Sequence, residues 1–187
     1  MAIALAESFE VAAALEDVWR FMLDPRSVAA CLPGATMEEA LDDRTFRGSV
    51  KLRVGAITAS YRGQVRLVRV DESAREVEML AEGREPGGGS ALGTVSSRLR
   101  ARPGGGTEVQ TEASIDLSGR IVQLGRGMIE GVARQLFAEF AARVRAQLEA
   151  AAPPPREETL RVLPLLLRTA WQRIAALFRA LLGRTGA

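Results

Sequence analysis

A chain of 187 residues, 47% of them apolar, can build one ordinary domain with an appendage but not two full domains. It has no histidine and one cysteine, Cys31, which removes imidazole-dependent triads, the commonest metal ligand, any intramolecular disulfide and any cysteine-cluster metal site. The formal charge of +2 conceals an asymmetry: residues 159–187 hold five arginines and no acid, leaving 20 basic against 23 acidic side chains in residues 1–158.

The chain opens without the basic n-region, apolar run and cleavage pattern of a secretory signal. Nowhere do about 18 apolar residues follow one another, as a spanning helix requires. With its lone thiol, the chain is expected in the cytoplasm, with peripheral membrane contact on the inner face of the cell membrane.

Ile3 to Val11 alternates and predicts a first strand; Leu15, Val18, Trp19 and Met22 then recur at helical spacing, in a helix that stops near Asp24 and Pro25. Arg26 to Ala35 is a turn-rich stretch. Period-two patterning follows: Phe46, Val50, Leu52 and Val54, then, across Gly55, Ile57, Ala59, Tyr61, Val65 and Leu67. Val77, Met79 and Ala81, then Ala91, Val95 and Leu99, then Val109 to Leu117 continue it, divided by turns at Pro86–Gly89 and Pro103–Gly106. The pattern predicts an antiparallel sheet of about six or seven strands with one apolar face.

From about Ile121 the period becomes helical, with Leu124, Met128, Val132, Leu136, Phe140, Val144 and Leu148 on one stripe of a long helix. Sheet face and helix stripe must cover each other, which makes an α+β domain over residues 1–149. The inward set includes Ala59, Gly63, Ala81, Ala91, Gly93 and Ala113. Such small residues leave either a hollow between the layers or a packed core with closer layers.

Residues 150–160 form a proline-rich tether, and residues 161–187 a basic amphipathic helix. At 100° per residue, Leu166, Leu167, Trp171, Ile174, Leu177, Phe178, Leu181 and Leu182 share one side. Arg161, Arg168, Gln172, Arg173 and Arg179 share the other. This pattern fits docking on a membrane surface, with Arg168 and Arg179 at the headgroups; a protein partner and packing on the domain are the alternatives.

Enzyme chemistry finds few carriers. The pairs Glu38–Glu39 and Asp42–Asp43 read as solvated surface carboxylates, and Cys31 as a small buried apolar residue or, if its pKa were lowered, a reactive thiol. Gly125, Gly127 and Gly131 have the wrong spacing and an antiparallel sheet before them for a dinucleotide fingerprint, although bare positions at 127 and 131 would admit a ligand or a close strand. Outward acids at Glu108, Glu112 and Asp116 and the lack of an aromatic platform speak against nucleic acid.

Four segments in order carry a family resemblance: Cys31-Leu32-Pro33-Gly34-Ala35; Val50 to Ile57 with Tyr61-Arg62-Gly63; Gly87-Gly88-Gly89-Ser90-Ala91; and Gln123-Leu124-Gly125 with Gly131-Val132-Ala133. Over about residues 3–148 the chain resembles the carbon monoxide dehydrogenase G-subunit family, within the helix-grip, START-like superfamily. The resemblance implies a curved sheet wrapped around a long C-terminal helix, an apolar cavity and no catalysis. It also implies recruitment of a carbon monoxide dehydrogenase type molybdenum hydroxylase to the membrane, and a non-covalent respiratory quinone, menaquinone in some members, as electron carrier. An assembly factor without ligand, a generic lipid carrier and an enzyme of the aromatase/cyclase kind are the alternatives. On inward positions the pocket is expected to use Phe21 and Leu32 near its mouth, Val50, Leu52, Tyr61 and Met79 on the sheet, and Met128, Val132 and Leu136 on the helix. Tyr61 either offers its hydroxyl to a quinone carbonyl or packs with it at the rim.

Overall fold

Alternating side chains build seven strands, and the structure, a computed structural model, describes residues 1–54 and 57–151. Gly55 and Ala56, read as a joint between strands, lie outside the described residues. So do residues 152–187, with the tether and every membrane-docking position from Leu166 to Leu182.

In chain order the elements are β1 (Ala2–Val11), α1 (Leu15–Met22), α2 (Pro25–Cys31), β2 (Ala35–Ala40), β3 (Thr45–Val54), β4 (Ile57–Asp71), β5 (Glu76–Arg84), β6 (Ser90–Ala101), β7 (Thr107–Leu117), a 3₁₀ turn (Arg120–Leu124) and α3 (Arg126–Ala151). The strands form one antiparallel sheet in the order β1-β7-β6-β5-β4-β3-β2. Only the β1–β7 pairing joins strands far apart in sequence. Together with α3 on the concave face, this is the helix-grip arrangement.

Three local expectations change. The stretch after Asp24 is not a turn: the Asp24 carboxylate accepts the Arg26 and Ser27 backbone N–H groups at 3.2 and 3.3 Å, and Pro25 presets the first helical φ, so α2 starts where α1 stops. Ala35–Ala40 then adds an edge strand, whose outward Glu38 and Glu39 disguise the alternation. The long helix begins at Arg126, because Gly125, at φ +79°, breaks the chain direction after the 3₁₀ turn.

The helix stripe also differs from its expected course. A spacing of four residues overshoots a full turn by about 40° per step, so a strict run of fours winds off the buried face. Met128 is consequently 53% exposed, whereas its neighbour Ile129 is 7% exposed.

The core forms in two pieces. At the far end, Phe9, Val18, Trp19, Phe21, Leu99, Val109, Phe140 and Val144 gather where α1 and α2 meet the C-terminal half of α3, with Phe9 edge-on to Phe137 and Phe140. At the near end, Ile3, Ala59, Tyr61, Ile121 and Ile129 pack beside the start of α3.

A row of glycines shapes the near end. Gly48, Gly63 and Gly83 stand side by side on β3, β4 and β5. A Cβ on Gly63 would fall 1.8 Å from the Glu82 carbonyl oxygen, and one on Gly48 2.5 Å from that of Thr36. Bare positions let the backbones approach and the sheet bend sharply along this row. Past it, β2 and β5 soon run out and β3 and β4 continue as a two-stranded arm, whose Ala59 and Tyr61 reach Ile121 and Ile129.

This bend makes a stability prediction. Gly63→Ala is expected to cost about 1–3 kcal/mol in urea unfolding, through forced backbone displacement. Gly93→Ala, whose methyl would stand an ordinary 3.6 Å from Ile115, is expected to leave stability within about 0.5 kcal/mol.

Candidate functional site

Between the two core clusters lies a cavity of about 540 Å³, bounded by the inner sheet face, α2 and α3. Its floor consists of strand positions in register. Val65, Ala81, Gly93 and Ile115 lie in one row, and Leu67, Met79, Val95 and Ala113 in the next. These inward side chains are only half-buried wherever they are larger than glycine.

The cause is volume. Gly63, Ala81, Ala91, Gly93 and Ala113 all line the hollow, and α3 rests on β1, α2 and the 3₁₀ turn instead of the middle strands. Of the two readings of the small residues, the hollow is the one the structure shows. Ala59 alone of the set lies elsewhere, on the inner face of the arm, packed with Ile121 and Ile129.

Of the nine expected pocket positions, Leu32, Val50, Leu52, Tyr61, Met79, Val132 and Leu136 are on the wall. Leu32 is itself 38% exposed, so the turn after α2 is where solvent meets the wall. Phe21 is not on the wall; it is 6% exposed within the far cluster, and Met22, one position and about 100° further round α1, faces the hollow in its place. Met128 is not on the wall either, for the helical-phase reason given above; Ile129 takes that role. Phe46, Ile121, Phe137 and Phe140 also line it. The strand members were available from parity, and Val132 and Leu136 from the helical stripe, but Ile129 and Phe137 needed the phase of α3.

Few polar groups touch this wall. Ser97 Oγ and Thr111 Oγ1 bond each other at 3.0 Å. Tyr61 is 5% exposed, and its hydroxyl is shut away without any hydrogen-bond partner among the described residues, so it is not at a wet rim. Burial, followed by the charge of nearby Glu85, pushes the Tyr61 phenol above its ordinary pKa and keeps it a donor. Glu85 follows the last paired residue of β5, its side chain 6% exposed, with an oxygen 3.4 Å from the Arg120 guanidinium. A buried hydroxyl left without a partner costs about 1–3 kcal/mol.

Other candidates recede. The Cys31 thiol is buried and donates to Gln147 Oε1 at 3.3 Å, and desolvation raises its pKa despite Arg143, which suits a packed residue better than a nucleophile. A Cβ at Gly127 or Gly131 would meet open space, so no strand approaches those positions closely. Asp42 accepts the Arg44 backbone N–H at 2.8 Å within its turn. Among the described residues, no cluster of three potential metal ligands occurs and no helix is long and apolar enough to cross a membrane. The arrangement can enclose an apolar molecule and offer it a hydrogen-bond donor.

If the hollow is unoccupied space, filling it should help the fold. Ala81→Leu is expected to raise the melting temperature by a few degrees, as about 1–2 kcal/mol of newly buried apolar surface. A lowered melting temperature would mean that the wall is already closed.

Comparisons agree with this architecture. No curated protein matches the chain by sequence. A conserved protein from Geobacillus kaustophilus superposes with a TM-score of 0.72 at 17% identity, covering 80% of this chain and 97% of that one. A START superfamily protein from Mycobacterium smegmatis does so with a TM-score of 0.60 at 11% identity, covering 80% and 99%. An aromatase/cyclase from a Streptomyces species gives 0.60 at 15% identity, covering 83% and 99%. At these identities they show the fold alone. The sequence pattern of the carbon monoxide dehydrogenase G-subunit (CoxG) matches residues 8–149, and the chain therefore belongs to the CoxG family.

Proposed function

We propose that this protein is a non-catalytic accessory carrier that holds a respiratory quinone for a carbon monoxide dehydrogenase type molybdenum oxidoreductase and brings it to the membrane. The observation that carries the reading is the apolar hollow of about 540 Å³ beside a donor, Tyr61, that nothing in the described chain satisfies. That volume lies within the usual range for small-molecule sites, about 300–1,000 Å³. The family description supplies the partner class.

The donor set fits such a ligand. A quinone is an apolar ring bearing carbonyl acceptors on a hydrocarbon tail, and it supplies two-electron, two-proton redox chemistry when bound. Tyr61 would donate to one carbonyl, while Val65, Met79, Val95 and Leu136 would exclude water from ring and tail. The tail, whose sequence pattern predicts a helix with eight large apolar side chains opposite its arginines, would hold the body at the bilayer, where quinones reside.

Two measurements test this. Solvent extraction of the purified full chain, followed by mass spectrometry, is expected to release a quinone. Titration with 2-methyl-1,4-naphthoquinone is expected to show saturable binding that Tyr61→Phe weakens about 5- to 10-fold. Saturable binding untouched by Tyr61→Phe would remove the tyrosine from the reading; no ligand and no binding would turn it to an assembly factor. For the tail, vesicles containing anionic lipid are expected to sediment the full chain and to leave a chain ending at Ala152 at least tenfold less bound. Equal binding would overturn tail-mediated recruitment.

A further inference from the structure

The arm beyond the glycine row has two unlike faces. Inward are Val50, Leu52, Val54, Ala59 and Tyr61, which roof the cavity or pack at its end. Outward, the register sets Lys51 beside Ser60, Arg53 beside Thr58, and Ser49 beside Arg62, whose other neighbour is Arg84 on β5. All four cations are exposed.

This face carries no acid of its own. Among the described residues, Arg62 alone of the four has an ion pair, with Glu38 at 3.9 Å; Lys51, Arg53 and Arg84 have none. Arg62 and Arg84, directly opposed across two strands, repel each other. Elsewhere most basic side chains are matched, among them Arg20 with Asp17, Arg47 with Glu39, Arg98 with Glu76 and Arg102 with Glu10, while Arg26, Arg44, Arg66, Arg100, Arg143 and Arg145 have no ion pair among the described residues but are not gathered on one arm face. Within a body whose acids outnumber its bases, one end of one ribbon thus concentrates unneutralised positive charge.

We infer that this outer face of the β3–β4 arm is a second membrane contact, docking on anionic lipid headgroups. It goes beyond the tail-mediated recruitment proposed above. The chemistry favours lipid: the face is a ribbon of long cations separated by hydroxyl residues, suited to a layer of phosphates, and it roofs a store for an apolar molecule. Docking there would set the near end of the cavity, rather than the α1 end, against the bilayer.

The test uses the full chain and a reporter that the tail does not move. A fluorophore on Thr58→Cys is expected to be quenched by nitroxide lipids in vesicles containing about 30% phosphatidylglycerol, while one on Glu72→Cys, in the β4–β5 turn at the opposite end, is not. Lys51→Ser with Arg53→Ser, both exposed and outward, is expected to reduce the Thr58 quenching at least fivefold without altering the circular dichroism, and salt above about 0.5 M to do the same in the parent chain. Sedimentation with vesicles but no preferential quenching at Thr58 would overturn the arm contact and leave the tail reading standing. Failure to sediment would overturn both. Shielding of the Thr58 label by the molybdenum oxidoreductase in the absence of vesicles would assign the face to a protein and overturn the lipid contact.

Discussion

The inner sheet face is too small in its middle to meet the helix that covers it. Gly93 and Ala81 in one row and Ala113 in the next leave α3 without support there, so it rests on the β1 edge and on α2. Everything else follows from that gap. The core must split into two clusters, each able to hold one end of the helix, and the space between them is the cavity. A Phe or Leu at those positions would join the clusters and abolish the site.

A second constraint closes the hollow at its near end. The contacts across Gly48 and Gly63 are shorter than any side chain permits, and the bend they allow carries the β3–β4 arm over to Ile121 and Ile129. The arm therefore serves the cavity with one face and solvent with the other. Its alternation, apolar in and basic or hydroxylic out, is the ordinary pattern of a half-buried strand pair. What is unusual is the complete absence of acid from the outer positions.

The site is chemically spare, and that is consistent with a ligand that carries its own reactivity. Burial, then Glu85, pushes the Tyr61 phenol above its ordinary pKa, and its hydroxyl is the one buried polar side-chain group with no partner among the described residues. Glu85 is held in turn by Arg120, across the turn that leads into α3. A carrier needs enclosure, dryness and one fixed direction for its ligand.

The sequence by itself determined six of the seven strands, all but the edge strand β2, with their inward sets and the existence of the long helix, because period-two and period-3.6 patterning are local consequences of backbone geometry. It also exposed the small inward residues and the family, since both are read directly from residue identity. It misplaced Phe21 and Met128, since a helix buries an arc and the centre of that arc depends on what packs against it. It missed α2, because Asp24-Pro25 ends one helix and begins the next with the same two residues. Only the tertiary structure decided that small residues meant a hollow and not closer layers, since that turns on where α3 finds support. It alone isolated the Tyr61 hydroxyl and gathered Lys51, Arg53, Arg62 and Arg84 on one face, because strand register, not sequence spacing, sets those neighbours.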